Sequence, residues 1–313
     1  MSKKKLQLLR ELAMRIATRP CLATTALPQV KIAKVETPSA RHPVLYNPSI
    51  VIVLQGSKKG YIGDKVCTYD ADNYFVTAIP MQFEVETLAT SRDPLISVAI
   101  SIDLLILRAM VLELNRRPQR DKTIEAYYAT PLTLEILDSL HRLLNMLAPA
   151  SEGNQQSCLD VKMLGPSLLR EIYYRVLQGP HGKALYELVT RHTHLSDMSG
   201  VIDLIHEKYA TELCVEDMAK SLNMSSTAFH KHFKELTSSS PIQYVKILRL
   251  HKAKIFMVQD GLNASQAAEK VGYNSLSQFS REFKRMFGMS PLEEVSRTRA
   301  LFGMDAEHVM TAV

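Results

Sequence analysis

Eight side chains in the last third of this 313-residue chain have the types and spacing to hold a polyanion. They are Thr227, His230, Lys231 and Lys234 in the stretch Ser225–Leu236, and Ser277, Ser280, Arg281 and Lys284 in the stretch Ser275–Met286. At about 100° per residue each set falls on one side of a helix. Phe229, Phe233 and Leu236 lie opposite the first set, and Phe279, Phe283 and Met286 opposite the second. Lysine and arginine so placed neutralise phosphates, and an arginine fork also fits a guanine edge. Short hydroxyl and imidazole groups allow close approach and hydrogen bonding to bases, directly or through water.

Both stretches follow a short helical segment and a tight turn. The first lead runs from about Val215 to Leu222 with Asn223-Met224 as its turn, the second from about Ala264 to Val271 with Gly272-Tyr273-Asn274. Asparagine and glycine tolerate a left-handed backbone at such turns. Small residue, turn and amphipathic helix make a helix-turn-helix pattern. One copy alone reads equally well as a helical hairpin that only packs; two copies, closed at matching offsets by Ser240-Pro241 and Ser290-Pro291, favour a pair of helix-turn-helix units. Pro241 to Val258 joins them as a helix, with Tyr244, Val245, Leu248 and Ala253 for packing and Lys246, Arg249, Lys252 and Lys254 on its remaining surface. From Met224 to Gln259 these cations, with Lys231 and Lys234, face only Glu235, whereas Asp197 to Asn223 is acidic. Positive charge is concentrated on one part of the region, as a phosphate-binding face requires.

Residues 196 to 299 resemble the tandem helix-turn-helix DNA-binding domain of AraC-type (AraC/XylS) bacterial transcription regulators. The resemblance rests on Met224-Ser225, Phe229-His-Lys-His-Phe-Lys234, Ser240-Pro241 with Gln243-Tyr244, Arg249-Leu250 with Ala253, Val271-Gly272-Tyr273, Ser277-Gln-Phe-Ser-Arg-Glu-Phe-Lys284, Phe287-Gly288 and Ser290-Pro291. It implies a sequence-specific transcription regulator, with activator among the implied roles, that inserts both recognition helices into promoter DNA about one turn, roughly 34 Å, apart. Lys231, Lys234, Arg281 and Lys284 would then reach phosphates, with a guanine edge as the alternative for Arg281, and Thr227, His230, Ser277 and Ser280 would read bases. Three positions depart from the family pattern. Ser238 replaces the usual glycine, so a left-handed cap there costs about 1 kcal/mol. Cys214 replaces a capping Ser or Thr, and thiols cap poorly. Ala264 and Ala267 are smaller than the usual Ile, which implies looser packing of the second unit.

Composition sets wider limits. The length suits two domains, the net charge of +6 is mild support for an anionic partner, and no apolar run approaches a membrane span. The segment Lys3–Ile16 is interrupted by Arg10, Glu11 and Arg15 before a signal-peptide core develops, and reads as a surface helix burying Leu6, Leu9, Leu12 and Ile16. Cys21, Cys67, Cys158 and Cys214 lack the paired spacing of zinc or dithiol motifs and fit a reducing, cytoplasmic compartment.

The first half reads as strands. Prolines punctuate short extended pieces such as Val30–Val35; strand signals follow at Ile50–Leu54, Gly60–Ile62, Lys65–Tyr69 about a Gly63-Asp64 turn, Tyr74–Thr77, Gln82–Thr87 and Leu95–Ile100. Such spacing suggests a small barrel or double-sheet roll. Pro48-Ser49, Val53-Leu-Gln-Gly56 with Lys58 and Lys59, Tyr69-Asp70, Arg170–Leu177 and Gly179-Pro180 resemble the N-terminal regulatory domain of one AraC-type subgroup, which implies a cupin-like barrel followed by helices. Metal-binding cupins cluster histidines on their strands, but no histidine lies between His42 and His141. With no catalytic triad motif or glycine-rich phosphate loop either, a cupin-type enzyme tethered to DNA is the disfavoured alternative, and no catalytic residue, metal or cofactor is expected. A small-molecule effector inside the barrel would meet Gln55, Tyr61, Tyr69 or Tyr74, each equally readable as an ordinary strand residue; an effector-independent regulator is the other alternative. Helices are expected over Leu104–Leu114, Leu132–Leu147 and Gly165–Leu177, with a charged loop at 115–122. Their apolar stripes serve the domain's own core, while the resemblance implies a homodimer through these helices and contact with RNA polymerase. The expected fold class is α+β, with a cupin-like regulatory and dimerisation domain at 1–182, a linker at 183–195, an all-α DNA-binding domain at 196–299 and a tail at 300–313.

Overall fold

The structure, a computed structural model, describes residues 2–63, 65–114, 125–190 and 194–301. The expected loop at 115–122 and nearly all of the tail lie outside them, as does Asp64 of the expected turn. Helix α1 (Ser2–Ile16) buries Leu6, Leu9, Leu12 and Ala13, while Ile16 is only half-buried.

Ten strands make two antiparallel sheets. β1 (Cys21–Thr24), β2 (Val30–Val35), β4 (Ser49–Gln55), β7 (Asn73–Thr77), β9 (Leu95–Ser101) and β10 (Tyr127–Pro131) join in the order β1-β2-β9-β4-β7-β10. β3 (Ser39–Tyr46), β5 (Ser57–Ile62), β6 (Lys65–Asp70) and β8 (Met81–Leu88) join as β3-β8-β5-β6. In β8 Met81, Phe83, Val85 and Thr87 are buried and alternate with half-exposed Gln82, Glu84 and Glu86, as one covered face demands. β4 is apolar on both faces because α1 packs over its outer side. β1, β3 and β10 had no clear strand signal. All three are edge strands, the position that tolerates Pro43 and Pro131. Between the sheets, Tyr69 stacks on Phe75 at 4.7 Å between ring centres, and Tyr46 meets Phe83 edge-on at 5.3 Å. Gly60 permits this packing, since a side-chain carbon there would sit 3.3 Å from the Tyr69 ring.

Helices α2 (Leu104–Leu114), α3 (Leu134–Ser151), α4 (Gln155–Gln178) and α5 (Lys183–Val189) follow. α4 begins ten positions before the expected Gly165, as the Asn154 side chain caps the Ser157 amide and the helix continues through Pro166. Gly165 is no breaker: a side-chain carbon there would lie 3.1 Å from Leu27, so its absence brings α4 against the barrel.

The C-terminal region is all helical: α6 (His194–Lys208), α7 (Val215–Ser221), α8 (Ser226–Thr237), α9 (Pro241–Gln259), α10 (Ala264–Lys270), α11 (Leu276–Phe287) and α12 (Pro291–Leu301). Phe229, Phe233, Tyr244 and Leu248 of the first unit are continuous with the N-terminal core through α5 and α6, whereas Phe279, Phe283 and Phe287 of the second unit close a separate cluster with Leu250, Ala253 and Met257 of α9. α9 and α11 also lie against β3. There the buried Tyr244 hydroxyl donates to the Pro80 carbonyl at 3.0 Å and meets His206 Nε2 at 2.8 Å. Burial pushes His206 down to about 4, with Lys252 adding to the effect, so its ring is neutral at ordinary pH.

Candidate nucleic-acid interface

Local sequence explains how each recognition helix starts and stops. Ser225 and Ser275 cap α8 and α11 by accepting the amides of Ala228 and Gln278. The turns before them use Asn223 at φ 54° and Gly272 at φ 83°, both left-handed. The far ends close on Ser238 at φ 59° and Gly288 at φ 80°, so Ser238 does occupy the strained cap that its position implied. Cys214 stands at the N-cap of α7 without a cap hydrogen bond, its thiol donating instead to Glu216. The buried faces extend one residue beyond expectation. Thr237 and Phe287 are buried, while Leu236 and Met286, the expected positions, are half-buried and pack against the same clusters.

With the phenylalanines inward, Thr227, His230, Lys231 and Lys234 are exposed on α8, and Ser277, Arg281 and Lys284 on α11. Ser280 is the exception, half-buried beside Phe279. Lys231, Lys234, Arg281 and Lys284 make no ion pair with another described residue. Sequence reading passed over Arg285, which is also exposed and unpaired among the described residues and lies one turn beyond Arg281. Its i, i+4 spacing from Arg281 was the available signal.

The linker helix is different. Lys246 pairs with Glu282 at 3.3 Å, Lys254 with Glu294 at 2.5 Å, and Arg249 gives its donors to three backbone carbonyls. Lys252 alone of the four makes no such bond to another described residue; it lies 5.9 Å from the Tyr209 ring centre. The basic surface expected on α9 is therefore mostly spent inside the domain. Tyr273 donates to Glu282 at 2.7 Å; burial and that carboxylate raise its phenol well above the ordinary range.

Of the four barrel residues weighed for an effector, Gln55, Tyr61 and Tyr69 have internal hydrogen-bond partners and Tyr74 is buried. Gln55 bonds Arg10 and Asp93, Tyr61 bonds Glu86 beneath Arg41, Tyr69 bonds Tyr46, and the Tyr74 hydroxyl abuts Gly179. Among the described residues no three His, Cys, Asp or Glu side chains converge as metal ligands.

Residues 26–184 match the family model described as the AraC-type transcriptional regulator N-terminus, which is half of the chain. The chain belongs to the AraC-type transcriptional regulators. Residues 218–297 match a helix-turn-helix domain model. The Msm operon regulatory protein of Streptococcus mutans is 32% identical over 88 residues, covering 28% of this chain and 32% of that protein. The transcriptional regulator AlkR of Acinetobacter baylyi is 36% identical over 95 residues, covering 30% and 31%. The chain thus matches about a third of the length of these curated relatives. The structure of apo ToxT from Vibrio cholerae aligns with 86% of this chain and 97% of its own at TM-score 0.58 and 13% identity, a likeness of fold. That likeness extends across both the sheet-rich and the helical halves, as the α+β reading requires.

Proposed function

We propose that this chain regulates transcription by laying α8 and α11 in successive major grooves of double-stranded promoter DNA. The observation that carries the reading is the pair of capped helices whose exposed Lys231, Lys234, Arg281 and Lys284 make no ion pair with another described residue. Lys231, Lys234 and Lys284 meet phosphates, Arg281 meets a guanine edge or a phosphate, and Thr227, His230, Ser277 and Ser280 approach the bases, with half-buried Ser280 the most restricted. In this reading 1–182 regulates, 183–195 connects and 196–299 binds DNA. The chain acts in the cytoplasm without a catalytic centre; no helix among the described residues is long and apolar enough to cross a membrane.

Salt tests the reading. Three phosphate contacts, or four if Arg281 takes a phosphate instead of a guanine edge, predict that log affinity falls with log salt at a slope of about −2.7 to −3.6, so a fourfold rise in salt costs about 40- to 150-fold in duplex binding. A flat salt response of the purified full chain would count against a phosphate-bound face.

A homodimer is proposed through α2 and α4. Leu105, Leu112, Leu159 and Met163 are 81%, 72%, 55% and 69% exposed there, beside an open groove of about 450 Å³ that includes Met110, Arg170 and Tyr174. Exposed large apolar side chains on two helices that pack against each other suit a partner surface. Sedimentation is expected to show a dimer for the natural chain and a monomer for Met163→Glu; a dimer that survives the substitution places the interface elsewhere. Dimerisation, or an effector acting on the barrel, would change how the DNA-binding halves are placed and hence how RNA polymerase is recruited.

A further inference from the structure

We infer that Arg249 is a positioning residue that fixes the orientation of the second helix-turn-helix unit against the first. Its consequence for DNA rests on the two-groove reading above; its consequence for the protein does not.

Arg249 projects from α9 into the junction of both units. Its Nε donates to the Tyr209 carbonyl at 2.6 Å and its Nη2 to the Thr211 carbonyl at 2.8 Å, both in the loop between α6 and α7. Its Nη1 donates to the Gly272 carbonyl at 3.0 Å, in the turn between α10 and α11. One guanidinium therefore ties the loop that opens the first unit to the turn that aims the second recognition helix. The two backbones touch at this place. A side-chain carbon on Gly272, which is at φ 83°, would lie 2.1 Å from the Ala210 carbonyl oxygen, so only glycine lets the turn rest on the loop. The Tyr273 ring lies 6.0 Å from the guanidinium and passes the restraint to α11 through its bond to Glu282, which Lys246 of α9 also holds.

The linker helix alone leaves a degree of freedom that this clamp removes. The second unit is held to α9 by its apolar cluster on Leu250, Ala253 and Met257 and by the Lys246–Glu282 and Lys254–Glu294 pairs, but none of these bonds the loop that opens the first unit, as the Arg249 fork does. Three hydrogen bonds from one planar fork are directional, and a lysine ammonium cannot reproduce their geometry. With its donors already engaged, Arg249 is poorly placed to serve as a phosphate ligand, despite its basic sequence context.

The test uses the full chain with its four cysteines replaced by serine and spin labels at Glu235→Cys on α8 and Glu269→Cys on α10, both exposed. Pulsed electron resonance is expected to give one narrow distance, at least about twofold broader in Arg249→Met and intermediate in Arg249→Lys; the lysine variant carries the test if the methionine one does not fold. The same proteins are then bound to duplexes selected from a random pool by the natural chain. One inserted base pair shifts the second contact by about 3.4 Å and about 35°. It is expected to cost the natural chain about tenfold and Arg249→Met less than about threefold. An unchanged distance distribution in both variants overturns the inference. A broadened distribution in a protein whose natural form ignores the inserted base pair leaves the clamp standing and removes the two-groove reading instead.

Discussion

Arg281→Ala is expected to erase most of the preference for a selected duplex over a random one, whereas Lys234→Ala weakens both by a similar factor. Arg281 is exposed on α11, on the face opposite Phe279 and Phe283, with no ion pair to another described residue to divert it. Its fork matches the two acceptors of a guanine edge, and one such pair is worth about 1–3 kcal/mol of discrimination, or roughly 5- to 150-fold. Lys234 sits in the last turn of α8, where an ammonium on a flexible stem meets phosphate without reading sequence. Its loss lowers the salt slope by about one and leaves the specificity ratio unchanged. Titration of both variants against selected and random duplexes separates the roles, and equal effects on the two DNAs by both substitutions would refute this division.

Glu294→Ala is expected to destabilise the C-terminal half by about 3–5 kcal/mol, seen as an earlier denaturant midpoint. Glu294 is fully buried on α12, accepting from Lys254 at 2.5 Å and from Arg297 at 2.8 and 2.9 Å. Burial pushes its carboxyl up, but the Arg297 hydrogen bonds and the Lys254 charge together outweigh that and hold it below the ordinary carboxylate value. Lys254 is itself drawn down, since its burial outweighs the attraction of Glu294. Removing the acid strands a cation in the apolar wall beside Phe287, whose ring centre is 5.2 Å from the Lys254 nitrogen. Because the folded-state carboxyl lies below its unfolded value, the stabilisation is complete above the ordinary carboxylate range and is lost as pH falls through the folded value. Replacing both buried members, as Lys254→Met with Glu294→Met, leaves only the part-exposed Arg297 without its carboxylate and is expected to recover most of the loss. A double variant as unstable as the single one would show that packing, not charge pairing, sets the cost.

The recognition helices were legible because their signals are local. Phenylalanines four residues apart define the buried face, and Ser225, Ser275, Asn223 and Gly272 mark the starts. Which cations remain free was not legible, because their partners are distant in sequence. Lys246 finds Glu282 after 36 residues, Lys254 finds Glu294 after 40, and Arg249 binds the Gly272 carbonyl after 23. The linker helix consequently looked like a DNA-facing surface and is instead largely a structural hub. In the N-terminal half the alternation of β8 announced its strand, while β10 gave no signal, since as an edge strand it pairs only with β7. Gly165-Pro166 looked like a helix boundary because sequence carries no trace of Leu27 filling the space above the glycine.

Hydroxyl-radical footprinting of the full chain on a selected duplex tests the two-groove claim most directly. Two protected patches on one face of the DNA, centred about one helical turn or roughly 34 Å apart, are the expected result. A single protected patch, or two on opposite faces of the duplex, would contradict it.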